Sequence, residues 1–238
     1  MRKRRFFLIP IAIVLIFSMS LTAYAGSSAS DSKYATVNGY TYDYSSSIAN
    51  NSPGQIYYQT TILSDEDSIP EGYIGANARV YSSSGVLKAS TGWSYTTRDD
   101  PVYYEAGIYY TASGYYYSKG QAKFYNGSGY NTYTCNATAN FTPTKPSLLN
   151  SQKSQVNVNN SGESYGSQLF AEEQGVELDL ILAEGTNGEI GYIRAEDIRG
   201  ADVNTVEEAL AYEQGRTSYT VPLYGEDGAT VIGEFNFG

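Results

Sequence analysis

The sequence predicts a mainly β protein, an N-terminal antiparallel β-sandwich followed by a small α+β domain. Three observations predict it. Tyr, Thr and Val recur at period two, as in Tyr40-Thr41-Tyr42-Asp43-Tyr44 and Ala76-Asn77-Ala78-Arg79-Val80-Tyr81, the pattern of half-buried strands. Turn clusters interrupt that alternation at short intervals. The composition then changes sharply: residues 26–160 carry 9 acidic and 8 basic side chains, whereas residues 161–238 carry 16 acidic and 3 basic. Tyrosine divides the other way, with 19 of 25 between Tyr34 and Tyr133.

Taken in order, the chain opens with Arg2-Lys3-Arg4-Arg5, then an apolar run from Phe6 to Phe17, then Ala23-Tyr24-Ala25. A basic start, an apolar stretch and small residues at a cleavage point are the parts of a secretory signal. Residues 1–25 are therefore expected to be a leader cut after Ala25. The apolar run is short for a span of roughly 20 residues, so no stable membrane span is expected after cleavage.

Residues 26–141 are expected to form the Tyr-rich sandwich, with strands at 34–44, 55–63, 73–82, 86–95, 102–111, 114–125 and 130–141. Asn50-Asn51-Ser52-Pro53-Gly54, Ser83-Ser84-Gly85, Ser113-Gly114 and Asn126-Gly127-Ser128-Gly129 mark turns. Seven or eight short strands at this spacing suggest a sandwich, with one hairpin closing from Ser82 to Val86 and another from Ala112 to Gly114. Residues 142–161, rich in Ser, Asn and Gln with two prolines, read as a linker.

Residues 162–238 are expected to be the acidic α+β domain. A strand at 177–183 turns at Glu184-Gly185-Thr186-Asn187-Gly188, where Asn-Gly supplies the positive φ angles of a tight hairpin, and returns through 190–193. Thr205-Val206-Glu207-Glu208 is a capping box, so a helix should run over 206–213 and end near Gly215. Strands at 221–224 and 230–235 flank Gly225-Glu226-Asp227-Gly228 as a second hairpin.

Gly188-Glu189-Ile190-Gly191-Tyr192-Ile193, followed by Asp197-Ile198, resembles the hairpin of bacterial SH3-like domains. That resemblance implies a cell-wall- or protein-binding module. More broadly, several segments resemble those of secreted proteins of unknown function from Gram-positive bacteria. They include Gly75 to Tyr81, Tyr116-Tyr117-Ser118-Lys119-Gly120, Tyr125 to Tyr130, Gly185-Thr186-Asn187-Gly188 and Val231-Ile232-Gly233-Glu234-Phe235. This likeness implies an exported location and brings no catalytic residues with it.

Histidine is absent. That removes Ser-His and Cys-His nucleophile arrangements, the common zinc sites and the usual neutral-pH proton shuttle. The one cysteine, Cys135, sits in an alternating stretch and is expected to be a buried small hydrophobe. Net negative charge repels phosphate backbones, so no nucleic-acid partner is expected, and no cofactor or metal is predicted.

The tyrosines admit two readings. The favoured one pairs them across strands to hold the sheet. In the other, an excess of rings lines an exposed face, with Trp93, Tyr95, Tyr115 and Tyr117 as ligand-binding candidates that stack on a cell-wall glycan or a protein partner. The acidic clusters Asp65-Glu66-Asp67 and Asp99-Asp100 read as solvated turn charge rather than calcium ligands. Glu71, Asp99, Asp100 and Glu105 are the first-domain acids that a weak carboxylate-based glycosidase would need.

The expected function is a secreted, non-enzymatic binding protein at or near the bacterial cell envelope. The alternatives are a secreted effector, inhibitor or bacteriocin-like or immunity protein engaging a basic partner, and the glycosidase.

Overall fold

The computed structural model describes residues 26–52, 54–65, 68–98, 103–111, 113–141, 156–200 and 202–238. The leader, most of the expected linker, and Glu66, Asp67, Asp99 and Asp100 lie outside these residues.

The chain is mainly β. From the amino end run β1 (Ser27–Ala29), β2 (Lys33–Val37), β3 (Tyr40–Ser52), β4 (Gln55–Ser64), β5 (Ile74–Asn77), β6 (Arg79–Ser82), β7 (Leu87–Ser90), β8 (Ser94–Tyr95), β9 (Tyr103–Thr111), β10 (Tyr116–Ser118), β11 (Gln121–Tyr125) and β12 (Tyr130–Thr134). After the expected linker come β13 (Asn157–Val158), β14 (Ser164–Gly166), α1 (Gln168–Glu173), β15 (Leu180–Glu184), β16 (Ile190–Arg194), α2 (Ala195–Arg199), α3 (Val206–Gln214), β17 (Tyr219–Tyr224) and β18 (Val231–Phe237). Asn157–Val158, at the end of the expected linker, is thus strand. None of the helices among the described residues is long and apolar enough to cross a membrane.

Among the described residues the strands form three sheets. In the first, β3 pairs with β1, β2 and β4, and β4 with β9. Its period-two alternation puts Tyr42, Tyr44, Ser46 and Ile48 of β3 on one face, opposite Ser64, Ile62, Thr60 and Tyr58 of β4, and all are buried. A second sheet runs β12-β11-β5-β8. The two meet through Tyr42, Tyr44, Ile62, Ile74, Ala76, Phe124 and the buried thiol Cys135. Tyr42 and Phe124 stack with centroids 3.9 Å apart. Burial pushes the Cys135 thiol up to about 11, so it sits there as a small hydrophobe.

The third sheet runs β10-β6-β7-β18-β17-β16-β15-β14-β13, and so combines strands from both sides of residues 142–161. β15 also pairs with β7, which closes β7, β18, β17, β16 and β15 into a ring. Leu87, Ile181, Ala183, Ile193, Val221, Leu223, Phe235 and Phe237 share one buried cluster with these strands.

Several expected strands are divided. The run 34–44 turns at Asn38 and Gly39, both at positive φ, giving β2 and β3. The run 73–82 changes partners at Ala78: β5 pairs with β8 and β11, and β6 with β7 and β10. The runs 86–95 and 114–125 divide at the same level. The Ser82-to-Val86 hairpin forms, with Ser82 N donating to Val86 O at 2.9 Å. The hairpin expected at Ala112 to Gly114 is corrected: β9 pairs with β4 and β10 with β6, so the connection crosses from one sheet to another.

These divisions bury β5 and β6 on both faces. Ala76, Ala78 and Val80 face the first sheet. Asn77, Arg79 and Tyr81 alternate to the other side, where α1, α2 and β15 lie.

Candidate functional site

On that second side the strands and helices leave a cavity of about 520 Å³, within the roughly 300–1,000 Å³ range of small-ligand sites. One wall is polar and strand-built, from Arg79, Gln121, Lys123, Thr132 and Thr134. Lys123 and Gln121 share a face because they are two residues apart on β11, and Thr132 and Thr134 stand opposite them on β12. The facing wall is apolar, from Ala171, Leu178, Ile181, Ile198 and Val203.

Arg79 is 1% exposed. One terminal nitrogen donates to Gln121 Oε1 at 2.7 Å and the other to Gln168 Oε1 at 3.3 Å. Gln121 is itself oriented by donating to Thr134 Oγ1 at 3.3 Å. Neither partner carries a charge, and among the described residues no carboxylate lies within ion-pair distance of Arg79. Its Nε also has no hydrogen-bond acceptor. A buried charge without a counter-ion costs on the order of several kcal/mol.

Lys123 Nζ lies 4.3 Å from the centroid of the Trp93 ring and donates to Tyr95 Oη at 3.4 Å. Burial holds its pKa down at about 8, and Arg79 pushes the same way against the weaker pull of Asp202. Two cations therefore share one wall. Three carboxylates also line the cavity: Glu172, which pairs with Lys119 at 2.6 Å, and Glu177 and Asp202, which stand exposed to solvent.

Trp93 lines the cavity, 3% exposed, and its indole Nε1 has no acceptor among the described residues. α3 closes over this corner, with Ala209 and Tyr212 against Trp93 and Tyr95. Glu213 accepts from the Tyr95 backbone N–H at 3.0 Å. Gly75 makes room for the Tyr95 ring, because a Cβ there would sit 2.8 Å from its edge.

The four residues named for the alternative reading, an exposed aromatic face, do not form one. Trp93, Tyr95 and Tyr117 are 3%, 2% and 4% exposed, because both faces of these strands are covered. Tyr117 stacks on Tyr81, 5.5 Å away and nearly parallel. Tyr115 is half-buried in the turn before β10, its carbonyl accepting from Ser83 N at 2.9 Å. Trp93 and Tyr95 come together, whereas Tyr117 stacks in another cluster. Among the described residues the well-exposed tyrosine rings are Tyr34, Tyr103 and Tyr109. Tyr109 packs on Tyr57 at 5.0 Å on the outer face of the first sheet.

Glu71 and Glu105 line neither this cavity nor a second one of about 360 Å³ beside Tyr58, Lys88 and Glu184. Sequence reasoning missed Arg79 and Lys123. The signal was a lone cation inside each of two alternating runs, Ala78-Arg79-Val80 and Ala122-Lys123-Phe124. Comparison with protein-family models, with curated proteins and with solved structures gives no match.

Proposed function

We propose that this chain is an exported, non-enzymatic binding protein that acts at or near the bacterial cell envelope and holds its ligand in the Arg79–Lys123–Trp93 cavity. The observation that carries the reading is Arg79: a fully buried cation with only neutral partners, set in a cavity of ligand size. Folding gains nothing from leaving such a charge unbalanced, whereas a binding site gains an attractor for its ligand. The polar wall offers guanidinium, ammonium, amide and hydroxyl groups, a set suited to orienting a ligand. The basic, then apolar, then small-residue order of residues 1–25 supports export.

The two-part organisation belongs to the same reading. The first sheet packed on β5 and β11 supports a sandwich in the first region. For the second region the support is the Gly188 hairpin of β15 and β16, and the ring that it enters also takes in β7 of the first region.

Co-sedimentation with isolated cell-wall sacculi tests this. The purified protein is expected to pellet with the wall at high salt, and the Lys123→Met protein to be retained less. A protein that stays in the supernatant, or is found in the cytosol with its leader intact, would sink the proposal.

The second reading, an effector or inhibitor that engages a basic partner, draws on the charge of residues 161–238. Arg194 pairs with Glu163 at 3.1 Å and Arg216 with Glu213 at 3.5 Å. Two of its three basic side chains are thus occupied, which leaves the acids in excess. Dissociation of a native complex by salt would favour this reading.

A further inference from the structure

We infer that the cavity takes a small organic anion, with its oxyanion head against Arg79 and Lys123 and its apolar body along Ala171, Leu178, Ile181 and Ile198. The inference rests on the binding reading above and specifies its ligand.

Both orphaned polar atoms of the cavity's side chains are donors: Arg79 Nε and Trp93 Nε1. Neither group has any acceptor capacity. Whatever completes them must therefore bring acceptors. A neutral acceptor would satisfy the hydrogen bonds and leave the two charges facing one another. An anion satisfies both, and charge-assisted bonds to a guanidinium are the stronger kind. Carboxylate and phosphate heads share this chemistry.

The rest of the cavity indicates that the ligand is organic. Its volume, about 520 Å³, far exceeds what an oxyanion alone fills. The wall opposite the cations is built from the buried side chains Ala171, Leu178, Ile181 and Ile198, which hydrogen-bond nothing and gain from covering an apolar group. The Trp93 ring has Lys123 over it, so it contributes through its edge and through the cation it holds.

Trp93 is the single tryptophan of the chain, so intrinsic emission reports on the cavity. The purified protein is titrated with octanoate, octyl phosphate, inorganic phosphate and neutral octanamide, following Trp93 emission and melting temperature. Octanoate or octyl phosphate is expected to change both, and which of the two binds tighter assigns the head group. Octanamide is expected to change neither, and inorganic phosphate to bind at least about tenfold more weakly than the better organic anion.

Lys123→Met is expected to weaken that binding by about tenfold with the fold intact. Gln168→Glu, which supplies Arg79 with an internal carboxylate, is expected to raise the melting temperature and remove the response. An equal response to octanamide, unaltered anion binding in both variants, or no response to any anion would overturn the inference. Wall retention persisting in that last case would leave the binding reading standing without it. Lys123-dependent anion binding without wall retention would do the reverse.

Discussion

Gly120 has no room for a side chain. A Cβ there would collide with Thr60 Oγ1 and lie 2.6 Å from the Asn77 carbonyl. Its own N–H donates to the buried Ser46 hydroxyl at 2.9 Å, and Thr60 Oγ1 donates to Asn77 O at 3.1 Å. The residue thus sits where β10 passes into β11 and the first sheet comes closest. Gly120→Ala is expected to cost about 1–3 kcal/mol through overpacking, read as a lower denaturant midpoint. A midpoint equal to that of the native protein would show that the contact relaxes freely. Arg79, one bridge away, shows why the site was harder to read than the strand that carries it. Alternation in Ala78-Arg79-Val80 establishes that Arg79 and Ala78 face opposite ways. It does not say that Arg79's side is covered by α1, whose Gln168 stands 89 positions on. A cation at an alternate strand position ordinarily reaches water, and only the tertiary cover turns it into a site.

At the scale of elements, what was legible was what is local. The capping box of α3 is a matter of three intervening bonds of chain: Thr205 Oγ1 accepts from Glu208 N at 3.1 Å, and Glu208 accepts from Thr205 N at 3.2 Å. Thr205→Ala is expected to cost about 1 kcal/mol and, because Ala209 and Tyr212 pack on Trp93 and Tyr95, to alter Trp93 emission as well. An unchanged midpoint and spectrum would mean that α3 is held by its packing alone. The hairpins at Gly188 and Gly228 were legible for the same reason, both glycines adopting positive φ. The partner changes at Ala78, Gly120 and 91–93 were not. They leave the period-two pattern uninterrupted and depend on which sheet lies alongside. Asn38-Gly39 escaped notice because Tyr, Thr and Val alternate on both sides of it, so periodicity runs through the turn.

For the molecule as a whole, tyrosine burial governs the response to alkali. Burial raises Tyr81, Tyr104, Tyr192 and Tyr219 from 10.0 to about 12, with Arg79 opposing the rise at Tyr81. A folded-state pKa above the unfolded value stabilises fully below the unfolded value and is lost as pH rises through the folded one. Stability is therefore expected to fall between pH 10 and 12. Lys123, held near 8, acts oppositely: its charging penalty, complete below pH 8, is relieved towards 10.5. The tyrosines outnumber it. Denaturant midpoints measured from pH 8 upward check this. A midpoint that stays level from pH 10 to 12 would show that burial does not hold these four rings neutral. The closing of the β7–β15–β18 ring has a further consequence. Phe237 stands beside Ser90, and Gly238 N donates to Ser90 O at 3.1 Å, so the seam shuts only when β18 arrives. Contacts this distant in sequence form slowly. In a crowded refolding mixture a neighbour's β18 is as near as the chain's own, and the seam is where intertwined pairs would arise.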